Sequence, residues 1–447
     1  MEKAEMPLFG SAKLELTRAC NHRCCYCYND VRDGGNKCAE ENCFLSPEEK
    51  RRNISTILEK LIELHIQKVN ITGGEPAMDK SLLFHTLEDT KRLKIQCSLN
   101  TNLSLFTADE ISRLCDSGLD SILISFPSHD PKTYDAMTRN KTSFKKVIEN
   151  LNSVQTAMIP NIINMVVSNL NKNQVYETGG YLATNFGIKR FAATPIVPVI
   201  ENQLSESLTR EEIIKVFDNL LRLKDKHGIK VSTLRPIPWC IFEEPKRYSD
   251  FLKGCAAGRS EAYIGIDGNV STCSSIPHVS GNLFKEDLSQ ILIRIAGEYD
   301  DKRIIPDECL PCPEASRCRA GCNAESQLVN KEKRSKQPYF FAPLKDKVFS
   351  PKKIKINFLG SGRIIFDGDS EILEGSSSQE YLFSAFGNRT PINETERAIL
   401  GTLYQRHFLT GIPLTQIVKD YSLDAHRLDR FLNRLASKEI IRYQESK

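Results

Sequence analysis

Six short strand-forming runs alternate with helix-forming stretches in the first half of this chain, and that alternation limits its fold more than any other feature. Lys13 to Thr17, Val69 to Thr72, Gln96 to Asn100, Ser121 to Ser125, Asn161 to Val167 and Arg190 to Thr194 read as strands. Pro47 to His65 reads as a helix with Ser46 as N-cap and Glu49 three residues on, the pattern of a capping box. Lys80 to Leu93 and Thr209 to His227 are further helices. Strands separated by helices pair in parallel through right-handed crossovers, so the spacing predicts an α/β fold, an open or partial (β/α)6 barrel. In such folds ligands sit beyond the carboxyl ends of the strands.

At 447 residues the chain is too long for one ordinary core, and two or three domains are expected. Its 61 basic and 57 acidic residues leave a formal charge of +4, too small an excess to make nucleic acid the expected partner. No apolar run reaches the roughly 20 residues that span a bilayer, and MEKAEMPLFGSAKLEL is not a secretory signal. A cytoplasmic location, with no membrane partner, is therefore expected, and there disulfides are rare. Fifteen cysteines then need another account than pairing. Ten of them fall in or near three spaced groups, which favours metal ligation over scattered buried thiols.

The first group is CNHRCCYCYND, where Cys20, Cys24 and Cys27 stand as C-x3-C-x2-C just after the first strand. Three thiolates can hold three irons of a 4Fe-4S cluster and leave the fourth iron open to a ligand. A zinc site would want a second ligand pair or a well-placed histidine, and His22 is badly placed. After the second strand comes ITGGEP, Ile71 to Pro76. Gly73 and Gly74 allow close approach of the backbone to a ligand, and Glu75 offers a carboxylate to an ammonium group.

Together these motifs resemble the radical SAM superfamily, with Tyr26 in the aromatic position before the last cysteine, and the resemblance spans about residues 12 to 200. It implies a catalytic 4Fe-4S cluster on Cys20, Cys24 and Cys27 whose open iron is chelated by S-adenosylmethionine. Reduction by a flavodoxin- or ferredoxin-type donor would then yield a 5′-deoxyadenosyl radical that takes a hydrogen atom from the substrate. The implied cofactor contacts are Tyr26, Gly73, Gly74, Glu75, Asn102, Ser125 and Arg139. Leu103 departs from the family's Thr-Asn-Gly turn, which begins here at Thr101. Cys25, Cys38 and Cys43 sit beside the triad, and the C-x4-C pair Cys38 and Cys43 could bind metal, although free thiols in an insertion are the favoured reading.

Further on, Cys255 and Cys273 bracket Gly268 as C-x12-G-x4-C, and Cys309, Cys312, Cys318 and Cys322 follow as C-x2-C-x5-C-x3-C. Taken alone these would suit a zinc ribbon. The whole pattern resembles the SPASM extension of radical SAM enzymes, which holds two auxiliary 4Fe-4S clusters. The resemblance implies Cys255, Cys273 and Cys322 as ligands of the first, with Cys240 the candidate to complete it, and Cys309, Cys312 and Cys318 as ligands of the second. The family's seventh cysteine is absent, since none follows Cys322. The second cluster would thus have an open iron, a non-cysteine ligand, or no stable form, and an open iron would accept a substrate thiol. Ser274 stands where the sulfatase-maturing branch has aspartate, which argues against that branch.

The expected organisation is a barrel over residues 1–235, a SPASM-like domain over 236–330, a linker over 331–351 containing KEKRSK, and a small winged-helix-like α/β domain over 352–447. In the last, Lys352 to Ile365 favours strands, and Glu394 to Tyr404, Leu414 to Tyr421 and Ala425 to Ser437 read as helices. This segment resembles the peptide-chaperone domain of pyrroloquinoline quinone biosynthesis, which docks precursor peptides by strand addition. Arg427, Arg430 and Arg434 would suit DNA, but Asp424, Asp429 and Glu439 dilute that face. The expected function is a maturase that abstracts hydrogen from a ribosomally made peptide or protein side chain, leading to crosslinking, thioether formation, epimerisation or oxidation. The alternatives are a radical SAM enzyme of a small metabolite, or an iron–sulfur regulator that binds DNA.

Overall fold

The computed structural model describes residues 9–31, 45–64, 66, 68–198, 201–276, 278–332, 334–336, 338–346 and 348, and beyond them five short strands with Leu428, Leu432 and Leu435. The chain divides into two compact units, residues 1–348 and 349–447.

A ten-stranded sheet organises the first unit. The six expected strands form as β1 (Ser11–Thr17), β2 (Lys68–Gly73), β3 (Gln96–Thr101), β4 (Ser121–Ser125), β5 (Asn161–Val167) and β6 (Arg190–Pro195), paired in parallel in sequence order. A short seventh strand, β7 (Lys230–Ser232), adds in parallel to β6. On the other side β8 (Glu261–Gly265) pairs in parallel with β1, followed by antiparallel β9 (Asn269–Ser271) and β10 (Val279–Asn282). The strands run β10-β9-β8-β1-β2-β3-β4-β5-β6-β7 without closing, so the open α/β architecture is the one observed. The cysteine-rich segment builds onto this sheet through β8 to β10.

Helices α1 (Pro47–Glu63), α2 (Lys80–Arg92), α3 (Ala108–Asp116), α4 (Pro131–Thr138), α5 (Ser143–Thr156), α6 (Val175–Phe186) and α7 (Arg210–His227) connect the first seven strands. The α1 capping box is present, with Glu49 N donating to Ser46 Oγ at 3.2 Å and Ser46 N to Glu49 Oε2 at 2.8 Å. Equivalent boxes start α3 at Thr107 and α7 at Thr209. Each satisfies two backbone donors that a helix start would leave unpaired.

Leu14, Ile71, Leu99, Ile124, Ile163 and Phe191 are fully buried and pack with the helices in one core. The other face carries Glu15, Asn70, Ser98, Ser125, Asn164 and Thr194, with apolar Leu123, Ile162, Val166 and Ala192 among them on β4 to β6. A parallel sheet covered on both sides reads as continuous apolar runs. Alternation through β1 to β3 leaves one face of the sheet polar there. Cross-strand bonds arrange that face in advance: Asn70 Nδ2 donates to Ser98 Oγ at 2.7 Å and to Asn100 Oδ1 at 3.1 Å, and Thr194 Oγ1 donates to Asn164 Oδ1 at 2.7 Å.

The Lys331 to Lys336 stretch is held against the cysteine-rich segment. Lys336 Nζ meets Glu308 at 2.7 Å, and Arg334 donates to the Ile305 carbonyl at 2.8 Å and pairs with Asp307.

In the second unit β11 (Arg363–Ile365) pairs antiparallel with β15 (Arg442–Gln444). β12 (Glu371–Glu374), β13 (Glu380–Ala385) and β14 (Asn388–Asn393) form an antiparallel sheet that sequence patterning missed. Leu428, Leu432 and Leu435 are helical and buried, at the spacing of one apolar helix face, within the expected helix Ala425 to Ser437. Helices expected at Glu394 to Tyr404 and Leu414 to Tyr421, most of Lys352 to Ile365, the charged residues weighed for DNA, and Cys38 and Cys43 lie outside the described residues.

Asn150 on α5 joins this frame to the loop after β3. It is 2% exposed, and its Nδ2 donates to the Leu103 carbonyl at 2.8 Å and the Phe106 carbonyl at 2.9 Å. Asn150→Leu keeps the volume but leaves two buried carbonyls unpaired, which should cost about 2–4 kcal/mol of stability. Chemical denaturation of the variant checks this; an unchanged midpoint contradicts it.

Candidate functional site

Beyond β1 the chain turns back on itself as the cysteine loop. Cys20 is exposed and Cys24, Cys25 and Cys27 are half-buried. His22 N donates to Cys20 Sγ at 3.4 Å, and Cys27 N to the Cys24 carbonyl at 3.2 Å. The loop is anchored where β2, β3 and α4 end. Gly74 N donates to the Thr17 carbonyl at 2.7 Å and Glu75 N to that of Ala19 at 2.8 Å. Asn102 Nδ2 reaches Asn21 Oδ1 at 2.9 Å, and Asn21 Nδ2 reaches Ser104 Oγ at 2.8 Å. Arg23 N and Cys25 N donate to the Thr138 and Met137 carbonyls at 2.9 Å each. Gln203 Nε2 donates to the Cys27 carbonyl at 3.0 Å. Asn21, Ser104 and Gln203 were not visible as site residues in the sequence, because no local pattern marks a long-range hydrogen bond.

The glycines of ITGGEP meet the chain's own backbone. Gly73 has φ +134, and a Cβ on it would lie 2.2 Å from the Thr17 carbonyl oxygen. A Cβ on Gly74 would lie 2.2 Å from that of Ala19. No side chain fits at either position, so the turn and the cysteine loop are locked together.

Glu75 is buried beneath that contact and holds the next turn. Its Oε1 accepts from Thr101 Oγ1 at 2.7 Å and Ala77 N at 3.1 Å, and its Oε2 from Asn102 N at 2.7 Å. Burial pushes its carboxyl above the usual carboxylate range, and these three donors work against that shift. A carboxylate has about four acceptor positions, so one remains for an ammonium. Asn102 has its side chain committed to Asn21 and Ser104, which makes it a positioning residue. Leu103 keeps a left-handed φ of 64 where the family has glycine. That conformation costs about 1–2 kcal/mol, which full burial of the side chain and the Asn150 bond offset.

Burial first, then repulsion from Cys27 and Cys20, holds the Cys24 thiol far above its ordinary pKa, and the Tyr26 hydroxyl bonded to it works the other way. Iron would therefore displace a proton on binding. His22 is buried against the edge of Tyr134, and burial lowers its pKa to about 4, the behaviour of a packed neutral ring. Ser125 ends β4 on the polar face. Arg139 caps α4 with φ 50, exposed, its charge felt by Cys25.

The downstream cysteines form two further groups. Burial pushes Cys255 and Cys322 each up to about 11, with the neighbouring Cys273 thiol adding to both shifts and Cys322 adding to that of Cys255. Lys13, Arg235, Lys253 and Arg319 are cations beside them. Cys309 and Cys318 are pushed up to about 12 by burial and then by neighbours that include Cys240 and Cys312. Cys240, expected to complete the first group, lies with the second, because the short 3-10 helix Trp239–Ile241 packs on the turn that carries Cys318. Among the described residues no three His, Cys, Asp or Glu side chains converge on a single ion.

Gly74→Ala should push the cysteine loop away from the turn. Reconstituted protein should then lose about four irons per chain while keeping its circular dichroism spectrum. A full iron content would contradict the lock.

Residues 14–181 match the family model described as Radical SAM superfamily. A probable GTP 3′,8-cyclase of Saccharolobus solfataricus is 25% identical over 297 residues, 65% of this chain and 88% of that one. The sporulation killing factor maturation protein SkfB of Bacillus subtilis is 26% identical over 290 residues, 63% of this chain and 64% of that one. Streptococcus suis SuiB bound to S-adenosylmethionine has the same fold, with a TM-score of 0.59 at 18% identity over 76% of this chain and 77% of that one. No helix among the described residues is long and apolar enough to cross a membrane. A triad of cysteines locked to a Gly-Gly-Glu turn beyond β1 and β2, together with these matches, means that the chain is an enzyme of the radical SAM superfamily.

Proposed function

We propose that this enzyme is a maturase that modifies a ribosomally made peptide or a protein side chain. The observation that carries the reading is the continuity of the sheet. β8 pairs with β1 from Ser11 and Glu261 to Glu15 and Gly265, so the cysteine-rich segment extends the sheet from which the triad hangs. Because β9 runs back along β8, Cys273 lies toward the amino ends of the strands and the triad beyond their carboxyl ends. The polar face of Lys13, Glu15, Asn70 and Ser98 runs between them. An extended polar chain suits such a face, its amides meeting the accessible Lys13, Asn70 and Ser98, while buried Glu15 holds Arg18 and Tyr263. SuiB has a structure bound to the precursor peptide SuiA, and SkfB is a maturation protein.

Cys20, Cys24 and Cys27 would hold the catalytic cluster, and the remaining acceptor position of Glu75 would take the amino group of S-adenosylmethionine. When bound, the pair supplies a carbon radical able to take hydrogen from an unactivated C–H bond. The chain's own part is to fix the loop through the Gly73–Gly74 lock, to place Ser125 and Arg139 beside it, and to align the substrate along the polar face. The cysteine-rich groups would hold two auxiliary 4Fe-4S clusters, and a flavodoxin- or ferredoxin-type donor would bring electrons. The C-terminal unit would dock a leader segment by strand addition to its small sheet. A small-molecule substrate is the second reading, favoured by the GTP 3′,8-cyclase relative, and would occupy the same face.

Replacing Cys20, Cys24 and Cys27 together with alanine should abolish 5′-deoxyadenosine release while auxiliary iron remains; continued release would overturn the catalytic assignment. Glu75→Ala removes a charge-assisted bond of about 1.5–3 kcal/mol, so the Kd for S-adenosylmethionine should rise roughly 10- to 150-fold. An unchanged Kd removes Glu75 from that role. Turnover decides between the substrates: a precursor peptide should stimulate 5′-deoxyadenosine release and gain a changed mass, whereas stimulation by a nucleotide alone supports the second reading.

A further inference from the structure

We propose that Cys240 is the fourth ligand of the site formed by Cys309, Cys312 and Cys318, so that four thiolates of this chain close the second auxiliary site. This rests on the reading that the cysteine-rich segment holds iron–sulfur clusters, and it replaces the missing seventh cysteine by one from upstream.

All four cysteines line one small cavity. Its remaining walls are mostly apolar, among them Trp239, Ala315, Ala320 and Phe340, with Lys336 as a lining cation. Two backbone turns bring the thiols there. Cys309 and Cys312 flank a turn in which Cys312 N donates to the Cys309 carbonyl at 2.9 Å. Cys318 ends a short helix, and Trp239 N donates to its sulfur at 3.5 Å, which sets the next residue, Cys240, at the same cavity. Gly321 has φ +82, and a Cβ on it would lie 2.7 Å from Pro238 Cδ. The segment that carries Cys240 is thus packed against the segment that follows Cys318 with no room for a side chain. The backbone N–H groups of Phe341 and Ala342 donate to Cys240.

Four thiols around a void can be ordinary small hydrophobes. Such thiols fill space; these border a cavity, and two of them receive backbone N–H donors at sulfur, the contacts that stabilise thiolates in iron–sulfur sites. Apolar walls would make unpaired thiolates costly, and iron supplies the compensating charge. A disulfide is not formed, since all four are free. The consequence runs against the expectation of an open iron at this site: an outside thiolate has no position to fill here.

The test uses the full chain carrying Cys20→Ala, Cys24→Ala and Cys27→Ala, reconstituted anaerobically, with iron content and reduced-state EPR and Mössbauer spectra as readouts. About eight irons per chain are expected, with no response of the Cys309 site to β-mercaptoethanol. Adding Cys240→Ala should change the spectrum of one cluster, the one lost on Cys309→Ala, and make it respond to the added thiol, which takes the vacated position. Cys240→Ser should shift the same cluster without a thiol response, and it decides the matter if the alanine variant does not fold. Spectra indifferent to both substitutions, or a change confined to the cluster lost on Cys255→Ala, overturn the ligand assignment alone. A background chain that binds no iron overturns the auxiliary-cluster reading and the assignment with it.

Discussion

Everything at the catalytic end of this enzyme depends on one contact of backbone against backbone. The Gly73–Gly74 turn lies on Thr17 to Ala19 so closely that a single methyl group at either glycine would overlap a carbonyl oxygen. Two short hydrogen bonds fix the spacing, and from it follow the direction of the cysteine loop and the depth at which Glu75 is buried. Glu75 in turn holds the Thr101–Asn102 turn, and Asn102 reaches back to Asn21 in the cysteine loop. The ring of interactions closes on itself, so the loop is ordered by the protein rather than by what it binds. Preorganisation of this kind lowers the entropy lost when a cofactor enters.

The sheet divides its labour between its faces. One is a conventional apolar surface under the helices, which supplies most of the burial that stabilises the unit. The other carries amides, hydroxyls and charges, and is stabilised by cross-strand hydrogen bonds instead. Such a face contributes less to folding than a filled barrel interior would. The two downstream cysteine groups differ in the same sense. Lys13, Arg235, Lys253 and Arg319 are cations beside one, while largely apolar walls enclose the other, so the two sets of thiols sit in dissimilar electrostatic settings.

Much of this was legible in the sequence wherever the signal was local. β1 to β6 appear within a residue or two of their expected ends, and the Ser46–Glu49 box starts α1 as read. The C-x3-C-x2-C and GGEP motifs fall beyond adjacent strands because strand, turn and helix signals are each short-range. The rest depended on contacts between distant residues. β7 has three residues and β8 pairs with a strand far upstream, so neither has a pattern of its own. The position of Cys240 follows from packing between Pro238 and Gly321, which no spacing rule encodes. The polar face was legible in principle, in the alternation of Lys13, Glu15 and Thr17 with Ala12, Leu14 and Leu16, but its meaning appears only once the strands lie in register.

The pairing of β1 with β8 has a consequence for synthesis on the ribosome. About 250 residues separate Ser11 from its partner Glu261. At roughly 5–20 residues per second, β1 waits on the order of 12–50 s after it emerges before its second neighbour exists. Through that interval it is a growing sheet's bare edge, the kind of surface on which nascent chains aggregate. Lys13 and Glu15 sit in the middle of that strand, and a charged pair at an open edge is a deterrent to stray strands. The charges of the finished sheet's interior strand thus also protect the half-made protein from its neighbours on the polysome.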